Sequence, residues 1–166
     1  MCFLPSGGNN AGAAGGSVYI ITGSLLGSGV ISANGNAGPN ASGGGGPIAV
    51  FYADGSGYTG FTKCSASAGS ATAENGTMGL FDTSIPNLHL QVLQRFVLDS
   101  GSQRHFGALT VANGGLLTVG GGSTLQVDGA LSVRDNSALV LQATNVSGLV
   151  YGQWIGQGVN VFAGTA

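Results

Sequence analysis

The sequence predicts an all-β chain wound as a parallel β-helix, a β-solenoid with three short strands per coil. Three observations predict it. Residues 107–119 (GALTVANGGLLTV) recur as residues 129–141 (GALSVRDNSALVL), so Leu109, Val111, Leu117 and Val119 are matched at a constant offset by Leu131, Val133, Leu139 and Leu141. Each of these strands, and Leu125-Gln126-Val127 between the copies, reads apolar–polar–apolar, the period of a strand with one face buried. Strands also restart at Val18, Ile48 and Met78, two equal steps that define an earlier, longer repeat. No such unit can bury its apolar face alone, so successive units must stack.

Composition fits one domain of this kind. Gly (33) and Pro (4) are about 22 % of 166 residues, against a usual share of roughly 12 %. That excess belongs to the connections. Leu, Ile, Val and Phe number 43, above the roughly 20 % below which chains stay unfolded. Only 6 % of residues are charged and the net charge is −2. The wet surface is therefore Ser, Thr, Asn, Gln and Gly, and with no basic run the composition argues against nucleic acid as a partner. No apolar run reaches the roughly 20 residues of a transmembrane segment. Two cysteines, Cys2 and Cys64, make no disulfide framework, and Cys64 reads as a small core filler.

In chain order, residues 6–17 form a Gly/Asn-rich loop. Val18 and Ile20 begin the first strand, Leu25 and Leu26 the second, Val30 and Ile31 the third. Residues 34–46 repeat the loop, and Ile48, Val50 and Tyr52 repeat the strand. Tyr58 and Phe61 follow, then a second loop at 65–76, then Met78 and Leu80. The coil here is long because one corner carries a Gly-rich excursion, and excursions at one phase project from one side as a candidate binding face. The loops at 34–46 and 65–76 should therefore lie one above the other, about 4.8 Å apart.

Residues 85–106 are the join. Leu88 and Leu90 precede Leu109 and Val111 by 21, as Phe96 and Leu98 precede Leu117 and Val119. At the far end Val127 matches Leu149 and Val133 matches Ile155 at 22, and Val159 and Val161 read as a last strand. The chain is thus one β-helix domain over 1–166, with a long-coil half at about 15–86 and a compact, 22-residue-coil half at about 87–166. Leu109, Val111, Leu117, Val119, Leu125, Val127, Leu131, Val133, Leu139 and Leu141 should line one core, with Thr110, Thr118, Gln126 and Ser132 facing outward. Neither end carries an amphipathic helix or charged stop. Open coils of this kind predict further coils of the same protein or end-to-end self-association.

GGSVYIITGSLLGSGVISANG (residues 15–35) followed by GGGGPIAVFYADGSGYTGF (residues 43–61) resembles the Gly-rich repeats of bacterial surface proteins. These are the adhesin-like and autotransporter-passenger-like members of the pectin-lyase-like β-helix superfamily. The resemblance implies a right-handed parallel β-helix, an extracellular or cell-surface location, and a scaffold or adhesive role.

The residues nominate little chemistry. A β-helix lyase or glycosidase needs carboxylates converging on one groove. Stacking brings only Asp54 and Asp82 near each other, as candidates for a cation, with Asp54 two positions further along. Asp135 aligns with Asn113 at a corner, where stacked Asx side chains serve turns. His89 and His105 read as solvated, with no nucleophile and orienting acid beside them, so no catalytic residue is nominated. The glycine runs at 43–46 and 121–122 lack the following residues of a phosphate loop or a calcium repeat, and no cofactor is expected. Trp154, Tyr52 and Tyr58 could stack on sugars but also read as packing. Asn40-Ala-Ser, Asn75-Gly-Thr and Asn145-Val-Ser match the glycosylation sequon in a chain rich in these residues. A structural or adhesive surface module, in contact with glycans or other surface components, leads. A carbohydrate-active or carbohydrate-binding β-helix and a self-assembling filament subunit are the alternatives.

Overall fold

A computed structural model describes residues 11–145 and 148–165. Cys2, the start of the 6–17 loop and the end of the Asn145 sequon lie outside them. The chain is all-β, with one short 3₁₀ turn at Phe61–Lys63, and among the described residues no helix is long and apolar enough to cross a membrane.

The longer repeat is a ladder of parallel strands. β1 (Val18–Ser24), β2 (Ile48–Asp54) and β3 (Met78–Asp82) pair in register, with Val18 beside Ile48 and Ile48 beside Met78. Ile48, Val50, Tyr52, Met78 and Leu80 point to one side, into a core closed by Tyr58, Cys64 and Ala66. Cys64 is the small buried filler its context suggests.

The Gly-rich stretches stand one above the other as expected, but they do not project. Residues 11–16, 41–46 and 73–76 form one row, and residues 33–37 and 65–69 a second. Backbone bonds tie them within rows (Gly12 N–H to Ala41 O, 2.6 Å; Gly35 N–H to Ser67 O, 2.9 Å) and between rows (Asn36 N–H to Ala13 O, 2.8 Å; Gly46 N–H to Ala33 O, 2.8 Å). Gly43, Gly46 and Ala66 are buried. The cause is steric: a Cβ on Gly46 would collide with the carbonyl of Gly16, and one on Gly43 with that of Ala13. Backbones lacking side chains approach closely enough to bond each other, and the excursions become packed walls.

At residues 83–88 the chain departs from expectation. β4 (His89–Val92) runs antiparallel to β3, with Phe81 beside Leu90 and Asp82 beside His89. Asn87 (φ 59°) and Leu88 (φ 64°) are both left-handed, so Leu88 leaves the strand. Leu90, not Leu88, stacks on Leu109, and Val92 on Val111. The expected offset of 21 is therefore 19 on this face.

From there the compact repeat holds. β5 (Arg95–Leu98), β6 (Gln103–Phe106), β7 (Ala108–Val111), β8 (Leu116–Val119), β9 (Thr124–Val133) and β10 (Ala138–Leu141) follow in order. Three parallel faces result: β4, β7 and the end of β9; β5, β8 and β10; β6 and the start of β9. Corners repeat with them, since Asn113–Gly114 and Asp135–Asn136 are left-handed pairs one repeat apart. Gly114 N–H bonds Asp135 O at 3.0 Å, so the Asn113–Asp135 alignment is a stacked turn.

The far end corrects two further expectations. β11 (Thr144–Asn145) and β12 (Gly156–Gln157) form a small antiparallel pair, and β13 (Asn160–Thr165) returns to β9, placing Ala163 beside Val127 and Val161 beside Leu125. Leu149 and Ile155 are exposed and stack on neither Val127 nor Val133. The last return is longer than the inner repeats and makes its own small hairpin. Leu109, Val111, Leu117, Val119, Leu125 and Val127 are buried as expected, and Leu131 and Leu139 are half-buried against them. Val133 (43 % exposed) and Leu141 (46 %) are not core, because among the described residues each is paired on one side only, with Val111 and Val119. Gln126 faces solvent, while Thr110, Thr118 and Ser132 are half-buried.

Pairing fixes which faces the two halves use. Residues opposite each other share a face, so Leu90 and Val92 lie on the Phe81 side of the common sheet, away from Leu80. The halves fold onto opposite faces of one sheet, and β3 is buried on both.

Two paired substitutions test this packing. Leu117→Ala should cost about 2–5 kcal/mol in denaturant unfolding, the range for a buried Leu, and Leu141→Ala under ~1 kcal/mol. Gly46→Ala should lower the melting temperature sharply, whereas Gly16→Ala, whose Cβ would meet open space, should leave it within a few degrees.

Candidate functional site

The sheet face turned toward the compact half is aromatic. Phe51 and Phe81 are register partners with rings stacked at 4.4 Å and 8°. Tyr19 meets Phe51 edge-on at 5.7 Å, and Phe81 meets Phe96 of β5 at 6.1 Å. Such pairs add about 0.5–1.5 kcal/mol each beyond area burial. Phe51 and Phe81 close the open end of the compact half, in one cluster with Leu88, Leu90, Leu98 and Phe106.

That closure is incomplete. A groove of about 440 Å³ remains, floored by Phe51, Phe81, Leu88 and Phe96 and rimmed by Asp99, Gln103, Arg104 and His105. β5 and β6 border it with their free edges, since each is paired on one side only among the described residues. Arg104 is register partner to the buried Leu125. It therefore sits at a core-facing position, and among the described residues no further strand pairs over it and it makes no ion pair. The rim thus sets one arginine and one aspartate, Arg104 and Asp99, beside an apolar floor.

The groove has no counterpart among the expectations drawn from sequence. Its signal is present in IAVFYAD and MGLFD, which carry apolar residues at both parities, as strands buried on both faces do.

Beside the groove lies a polar cluster. His105 Nε2 is 2.6 Å from Asp128 Oδ1, Asn87 Nδ2 donates to Asp128 Oδ2 at 2.9 Å, and Gln126 Nε2 donates to Oδ1 at 3.3 Å. The bond from His105, then that from Asn87, holds the Asp128 carboxyl below its usual range. This ties the left-handed turn to the compact half. On the opposite face His89 is half-buried rather than solvated, with Nε2 2.9 Å from Thr110 Oγ1. Burial lowers its pKa, and Asp82 opposes that shift. Tyr52 receives a bond from Gln91 Nε2 at 2.8 Å, and burial followed by Asp82 pushes its hydroxyl up to about 12.

Asp54 and Asp82 end neighbouring strands, and each serves its own turn. Asp54 Oδ1 accepts Ser56 N–H at 2.9 Å and Asp82 Oδ1 accepts Ser84 N–H at 2.8 Å. Register places Tyr52, not Asp54, beside Asp82. Among the described residues no three His, Cys, Asp or Glu side chains gather to hold a metal ion. Tyr52 and Tyr58 are buried packing residues, and Trp154 is exposed. No family model, curated protein or solved structure matches the chain.

The Asp128 cluster has a pH signature. A carboxyl held low in the folded state stabilises it at neutral pH, and that contribution is lost as pH falls through the carboxylate range. In melts from neutral pH to about pH 3, Asp128→Asn should flatten the acid limb. An unchanged acid limb would show that the cluster bears no part of it.

Proposed function

We propose that the chain is a structural or adhesive module of a cell-surface protein, wound as a right-handed parallel β-solenoid. The observation that carries this reading is the double in-register stacking, Val18 on Ile48 on Met78 and then Phe96 on Leu117 on Leu139. Repeats that bury their apolar faces only on one another build long, stiff, low-charge surfaces. Right-handed winding follows from the strong preference of parallel crossover connections. The Gly-rich walls add backbone-bonded rows that expose few charged groups.

The groove supports a second reading, binding of a carboxylated glycan or similar amphipathic anion, with Arg104 taking the carboxylate and Gln103 the hydroxyls.

Protease treatment of intact source cells should cleave this protein without lysis. Protection until lysis would contradict the surface location. For the groove, acidic and neutral polysaccharides assayed with and without calcium should show acidic ones bound, with affinity lost at least tenfold in Arg104→Ala. Equal binding by Arg104→Ala would remove the groove from the account and leave the scaffold role standing.

A further inference from the structure

We propose that two copies of this chain join edge to edge through β1, antiparallel, about a twofold axis at Ile21. The inference stands on the geometry of one strand and does not depend on the surface role.

Among the described residues β1 is bonded on one side only, to β2. Its sequence, VYIITGS, has seven residues, no charge and no proline. Natural edge strands usually carry lysine, proline or a bulge that prevents pairing, and β1 has neither of the first two. Tyr19 (69 % exposed) and Ile21 (71 %) stand on its outer face, with Leu26 and Val30 exposed nearby at the same end of the stack.

The backbone determines what the free edge offers. Val18 N–H donates to Pro47 O at 2.9 Å, so Val18, Ile20 and Thr22 turn their backbone groups toward β2. Tyr19, Ile21 and Gly23 then present N–H and C=O groups outward, because these alternate along a strand. An antiparallel copy bonds best where outward residues face outward residues. A twofold axis at Ile21 does this over the full strand: Ile21 faces its own copy, Tyr19 faces Gly23, and Val18 faces Ser24.

Side chains fit that register. A Cβ on Gly23 would meet nothing within 4 Å, so the Tyr19 ring of one copy has room to lie across Gly23 of the other. An aromatic covering a glycine across a strand pair is a recognised stabilising arrangement. With no charge on β1, the pairing sets no like charges opposite each other. The contact is isologous, so it closes at two copies rather than growing into a fibre.

Sedimentation of the full chain should show a dimer that dissociates on dilution. Ile21→Lys should halve the mass with circular dichroism and melting temperature retained, since the side chain is largely exposed. In a Cys2→Ser background, Ile21→Cys should form a disulfide-linked dimer under mild oxidation, because facing residues approach to about 5.5 Å between Cα atoms. Thr22→Cys, which faces Ile20 in this register, should not. The linkage decides the matter should Ile21→Lys fold poorly. A monomer at every concentration would overturn the proposal and leave β1 open or covered by the chain's own leading residues. A dimer that withstands Ile21→Lys and does not link through the Ile21→Cys position would overturn it equally, as would assemblies growing without limit.

Discussion

Two-sided burial of β3 is the constraint on which the rest depends. Met78 and Leu80 complete the core of the long repeats, while Phe81 on the other face belongs to the compact half. A five-residue strand thus serves two cores at once, and only a strand apolar at both parities can do so. The reversal after it is a consequence. Once β4 runs antiparallel to β3, the next set of apolar side chains rises on the Phe81 side, and the second stack grows there. Corners of the compact half also reach back to the first core: Leu93 and Ala112 are buried in it, and Gln94 Oε1 accepts Ala66 N–H at 2.7 Å.

The two halves solve the same problem with different materials. In the compact half, every wall is a short β-strand whose alternate side chains fill a prism, so the repeat can be short. In the long half one wall is a strand ladder, side chains such as Leu25, Ile31, Tyr58 and Cys64 close part of the core, and the Gly-rich rows close the rest. There, hydrogen bonds between rows replace side-chain packing, at a larger conformational-entropy cost per residue. Dense backbone bonding is the compensation.

Much of the architecture was legible in period and spacing. The offset of 22 between Leu117 and Leu139, the offset of 30 between Val18 and Ile48, and the stacking of the glycine loops all follow from the chain alone. The reversal does not, because Leu88 carries the same alternation as Leu90 and only its left-handed backbone removes it from the strand. Nor can local pattern tell the last repeat from an inner one: Val133 and Leu141 sit in the same sequence context as Val111 and Val119 and differ in being paired on one side only among the described residues. The groove stays hidden because Phe51 and Phe81 occupy the outward parity of strands whose other face already accounts for their burial. Arg104 is hidden for a related reason, since its core-facing position depends on the pairing with Leu125.

Native-state hydrogen exchange tests the shared-strand account most directly. The amides of residues 78–82 should be among the slowest in the chain, opening only with global unfolding, and both halves should lose protection together in that same event. Two halves that exchange with separate opening free energies, with β3 no better protected than either, would show that the stacks are independent and that β3 does not join them.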